Sequence, residues 1–95
     1  MIGKIKYEMN ENVVFMSEKE REDGIDIMLK PKNEEAVKKL HEVRNFFERD
    51  KVYTDVLFYT YEDKQVQVIV RDDSYVVLLA AMFRWQLIKK LEWNE

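Results

Sequence analysis

Nine consecutive apolar residues, Tyr75 to Phe83, open the stretch YVVLLAAMFRWQLIKKLEW, and they constrain this chain more than any other feature. A bilayer needs about 20 apolar residues in a helix, so the run must be buried in a core or against another chain. The N-terminal MIGKIKYEMNE meets charge too early for the apolar region of a signal peptide. The expectation is a soluble, cytoplasmic protein without membrane contact.

The rest of the chain supplies what such a run can pack against. Its 95 residues suffice for one domain, residues 1–95, with a core of its own. A hydrophobic fraction of 46% excludes a disordered chain, and two glycines and one proline imply short connections. There is no cysteine, which removes disulfides, zinc thiolate sites and thiol catalysis, and fits a reducing compartment. A net charge of -3 makes nucleic acid an unfavoured partner unless basic residues cluster locally.

Local patterns place the elements. Ile5, Tyr7 and Met9 alternate with Lys4, Lys6 and Glu8, the period of a strand. After the turn signal Asn10-Glu11-Asn12, Val13 to Met16 resume an apolar run, so the two read as an N-terminal hairpin. Ser17 to Asp23 carry six successive charges after a serine and read as a solvated connection or one turn of helix. Ile25, Ile27 and Leu29 form a third strand, which Pro31 ends. Asn33 is a suitable N-cap for a helix whose stripe is Ala36, Leu40, Val43 and Phe47, with Asp50-Lys51 closing it. Val52 to Tyr61 and Val66 to Arg71 form a hairpin around Glu62 to Gln65. Pairing Tyr61 with Val66 would put Leu57, Tyr59 and Tyr61 on the core face, and Phe58 with Ile69 on the other.

Asp72, Asp73 and Ser74 are three possible N-caps for a last helix through Trp93. Its second half is amphipathic, with Arg84, Leu87, Ile88 and Leu91 on one side. Continuing that phase backward assigns Val76, Val77, Ala80 and Ala81 to the core. Tyr75, Leu78, Leu79, Met82 and Phe83 are then left as surplus apolar surface. Burying each large side chain is worth roughly 1.5–3 kcal/mol, so something should cover them. Either the chain buries this helix all round, or these five residues form the interface of a homodimer. An alternative keeps Tyr75 to Leu79 as a strand.

Chemistry finds little purchase. His41, the one imidazole, reads as a helix-boundary residue, and Ser17 and Ser74 have no activating base near in sequence. Asp55, Asp72 and Asp73, or the acids of the Glu18 to Asp26 run, could be taken for a cation site, but the spacing of a calcium loop is missing. Neither Gly3 nor Gly24 lies between a strand and a helix, so a phosphate-cradling loop is absent too. No metal, cofactor or catalytic residue is expected.

The expected fold is α+β, a two-layer sandwich in the order β-β-β-α-β-β-α. Two helices lie on one face of a mainly antiparallel sheet of four to five strands. From Ile25 the order matches a split βαβ unit lacking its closing strand, an edge that the N-terminal hairpin could supply. The expected function is a small non-catalytic interaction or regulatory module, self-associating through the last helix. The alternatives are a small-ligand domain with Tyr7, Tyr59 and Trp85 as wall residues, and a single-stranded RNA binder on the Phe58 and Ile69 face, with Tyr53 nearby.

Overall fold

The computed structural model describes residues 5–49 and 55–93. The suggested helix end at Asp50-Lys51, the start of the Val52 strand and Tyr53 lie outside the described residues. The elements are β1 (Ile5–Met9), β2 (Val14–Glu20), β3 (Gly24–Pro31), α1 (Glu34–Arg49), β4 (Val56–Thr60), β5 (Val66–Arg71), α2 (Asp72–Arg84) and β6 (Ile88–Trp93). Through α2 this is the expected α+β order, with one strand added after it.

Four strands form an antiparallel sheet in the order β2-β3-β5-β4. The segment β3-α1-β4-β5-α2 is the split βαβ unit, and β2 occupies the edge beside β3 that its closing strand would take. β6 turns instead to β1, and the two make a separate antiparallel ribbon. The N-terminal hairpin is therefore a misreading, because β1 pairs with the far end of the chain. The charged run is also corrected. β2 continues to Glu20, and only the tight turn at Arg21 to Asp23 separates it from β3, closed by the Arg21 N–H to Gly24 C=O bond at 2.8 Å.

Gly24 stands where the chain enters β3 against Arg71. A Cβ there would lie 2.1 Å from the Val70 carbonyl oxygen, so only glycine allows this approach.

The inner face of the sheet carries Val14, Ile25, Ile27, Leu29, Val66, Val68, Val70 and Val56, all buried. α1 meets it with the expected stripe Ala36, Leu40, Val43 and Phe47, and Asn33 Oδ1 accepts the Ala36 N–H at 2.8 Å, the expected N-cap. α2 packs on β3 and β5, beside α1 and against β6. Its start is not capped by a side chain. Arg71, extended, is the N-cap; Asp72 and Asp73 sit in the first turn, where the helix dipole favours carboxylates; and Ser74 is buried within the helix.

The last segment departs most from expectation. α2 ends at Arg84 in a Schellman motif: the Gln86 N–H bonds the Phe83 carbonyl at 3.0 Å and the Leu87 N–H bonds the Met82 carbonyl at 2.9 Å. Gln86 takes the left-handed conformation, φ 65°, a place usually held by glycine. Leu87 and Met82, both fully buried, make the apolar contact that accompanies such a motif.

β6 then pairs Ile88 with Met9 and Leu91 with Tyr7, while Lys90 faces Glu8; Lys89 is the extra residue of a bulge. That extra residue brings Ile88 and Leu91, three apart, to one face of a strand. The same spacing imitates a helix stripe in the sequence.

Candidate functional site

α2 shows first where the expected interface lies. Tyr75, Leu78, Leu79 and Met82 are buried within the chain, and of the five proposed residues only Phe83 is exposed, at 46%. They are the core side of α2. Ala80, assigned to the core, is exposed, and Val76 and Val77 are half-buried. The expected helical phase rests on Leu87, Ile88 and Leu91, which lie beyond the end of the helix at Arg84. With that anchor gone, the surplus face becomes the packed face, and the apolar run needs no second chain.

The uncovered apolar surface lies on the other side of the sheet. β4 and β5 join through a three-residue loop, Glu62-Asp63-Lys64, with Lys64 at φ 71° and the Tyr61 N–H donating to the Gln65 carbonyl at 2.9 Å. The expected turn was one residue longer. The register is therefore Thr60 with Val66, Phe58 with Val68 and Val56 with Val70. A one-residue shift exchanges the two faces of a strand. Val56 and Phe58 point inward, Phe58 stacking 5.8 Å from Phe47, while Leu57 and Tyr59 point outward.

Two rows of the outer face cross all four strands. Lys19, Asp26, Ile69 and Leu57 make one; Ser17, Met28, Gln67 and Tyr59 make the next; and Phe15 lies opposite Lys30 beyond them. Phe15, Leu57, Tyr59 and Tyr61 are each about half exposed, and Met28 and Ile69 are partly so. Among the described residues no helix or strand covers this face.

The polar groups at its centre are paired with one another. Gln67 Nε2 donates to both oxygens of Asp26 at 3.0 and 3.1 Å, Tyr61 Oη donates to Gln67 Oε1 at 2.6 Å, and Arg21 stands 3.9 Å from Asp26. Lys30 Nζ lies 5.9 Å from the centre of the Phe15 ring. A partner that covered the face would meet side chains fixed by one another, with few polar groups left to satisfy.

The other candidates are dispersed. Tyr7 Oη donates to Glu18 Oε1 at 2.5 Å and Tyr75 Oη to Glu18 Oε2 at 2.6 Å, so one carboxylate ties β1 and α2 to β2. Burial pushes both phenols well above the ordinary tyrosine range, and hydrogen bonding to the Glu18 carboxylate and its charge raise them further. Tyr59 lies on the outer face, and Trp85 at the end of α2 has Arg84 5.8 Å from its ring, so the three suggested wall residues share no cavity. Phe58 is on the inner face and Ile69 on the outer, which separates the residues suggested for RNA. His41 is exposed on α1.

Asp23 faces Arg71 at 3.8 Å, and no group of three or more His, Asp or Glu among the described residues is placed to hold a metal ion. Among those residues, too, no helix is long and apolar enough to cross a membrane. Compared with known proteins, the chain matches no family model, no curated protein and no solved structure.

Proposed function

We propose that this protein is a small, non-catalytic cytoplasmic interaction module whose working surface is the outer face of the four-stranded sheet, and that the face pairs with a second copy of itself. The observation that supports this reading is that Leu57 and Tyr59 on β4, Tyr61 just after it and Phe15 at the opposite edge on β2 are large side chains about half exposed on one uncovered face. Four strands about 4.8 Å apart and five residues of about 3.4 Å make a face of roughly 19 by 17 Å. Two such faces bury roughly 650 Å², below the roughly 1,000 Å² of a stable specific interface, so the pairing is a weak one that forms at high concentration.

Light scattering during gel filtration tests the proposal. The wild-type chain should run as a dimer that dissociates on dilution, and Leu57→Glu or Tyr59→Glu should give a folded monomer, since neither side chain belongs to the core. A wild-type monomer at millimolar concentration would remove the self-pairing.

A second reading, single-stranded RNA stacked on Tyr59, Tyr61 and Phe15, draws on the same aromatics and the nearby Lys19 and Lys30. The net charge of -3 weighs against it. Binding of mixed oligonucleotides at low salt, lost in Tyr59→Ala, would favour it over the dimer.

A further inference from the structure

The inner face of the sheet is not filled at its β4–β5 turn. Phe58 fills the space beneath Phe47, but the next position on that face of β4 is Thr60, a small exposed side chain that meets α1 only through Arg44 and leaves the space beside Leu40 open. The gap is a cavity of about 270 Å³ between α1 and the turn. Val37, Leu40 and Val66 form an apolar floor, and His41, Arg44, Thr60 and Lys64 stand around it. In a chain with more acid than base, these three nitrogen side chains gather with no carboxylate among the described residues of the lining.

Arg44 is oriented for this work. Its Nε donates to Glu48 at 2.9 Å and its NH1 to Thr60 Oγ1 at 2.8 Å, which leaves other guanidinium N–H donors for a ligand. Lys64 is held by Glu34 only at 4.0 Å, and both side chains are largely exposed, so the pair can be exchanged for another anion.

We infer that this cavity binds a small organic monocarboxylate with an apolar body, its carboxylate on Arg44 and Lys64 and its body on Val37, Leu40 and Val66. A guanidinium presents paired donors that match a carboxylate. At about 30 Å³ per water, the volume holds roughly nine waters, or a molecule of about nine or ten heavy atoms. That is far below a nucleotide and equal to a short fatty acid or an aromatic acid. The site lies on the opposite side of the sheet from the proposed interface and does not depend on it.

Benzoate and its neutral isostere benzamide are suitable probes, titrated into the isotope-labelled full chain and followed by amide NMR. Benzoate at millimolar concentration should shift Val37, His41, Thr60, Lys64 and Val66 saturably, leaving Leu57, Tyr59 and Ile69 unmoved. Benzamide should bind at least about tenfold more weakly, as should benzoate to Arg44→Gln or to Lys64→Asn, whose new residue tolerates the left-handed backbone. Lys64 is exposed, so that variant carries the test even if Arg44→Gln folds poorly. Equal binding of benzamide, shifts confined to the outer sheet face, or no saturable shift would each overturn the site.

Discussion

Gln86 decides the course of the chain from α2 into β6. At φ 65° it reverses the chain after α2, and its own amide and that of Leu87 close onto the Phe83 and Met82 carbonyls. A residue with a Cβ costs about 1–2 kcal/mol in this conformation, where glycine costs nothing. Its own contacts are few: its carbonyl accepts from Asn10 Nδ2 at 3.0 Å, a bond that survives substitution, and its Oε1 accepts from Lys39 at 3.2 Å. Gln86→Gly should therefore raise stability by about 1 kcal/mol, read as a higher urea midpoint at unchanged slope. A lower midpoint would mean that the exposed Lys39 bond outweighs the backbone strain. No glycine or asparagine marks this position, so the helix stop is hidden from the sequence, whereas Asn33 announces the start of α1 openly.

α2 presents its burial in the order of its packing, and substitution can read that order. Leu79→Ala and Met82→Ala should each lower stability by about 2–5 kcal/mol, the range for removing a fully buried large aliphatic side chain. Phe83→Ala, at a residue nearly half exposed, should lower it by about 1 kcal/mol or less. Comparable losses at all three positions in chemical denaturation would contradict this orientation of the helix. The periodicity of α1 was legible because its stripe runs unbroken from Ala36 to Phe47. That of α2 was not, because the bulge at Lys89 sets Ile88 and Leu91 at a spacing a helix would also use. β4 and β5 were legible as strands, but their register hung on a loop of three residues rather than four, and with it the face on which Leu57, Tyr59 and Tyr61 emerge.

Across the whole molecule, the Glu18 carboxylate of β2 joins both β1 and the distant α2, with Tyr7 and Tyr75 donating to it. Both phenols ionise at higher pH in the folded chain than in the unfolded one, where the ordinary value is about 10. The folded state then keeps protons that the unfolded state releases. Their contribution is fully present below about pH 10 and is lost as pH rises beyond it toward the folded values. Wild-type stability should fall above pH 10, with a slope that flattens in the Tyr7→Phe/Tyr75→Phe double variant. That variant should also be less stable at pH 7, having lost both bonds. Equal slopes in parallel urea titrations would show that the two phenols do not couple to folding.

What the sequence determined by itself was local: the α+β class, the alternation that makes β3 and β5 strands, the capped and striped α1, and the need to bury Tyr75 to Phe83. These follow from side-chain period and capping, which act within a few residues. The tertiary structure alone decided that β2 closes the sheet, that β1 and β6 meet from opposite ends of the chain, and that the apolar run is covered from within. It also decided that the exposed aromatic surface belongs to the sheet. Each of these depends on a register, a bulge or a partner strand far along the chain. Shifts of a single residue, at Lys64, Gln86 and Lys89, choose which of two faces is buried, and the apolar content of the segments leaves that choice open.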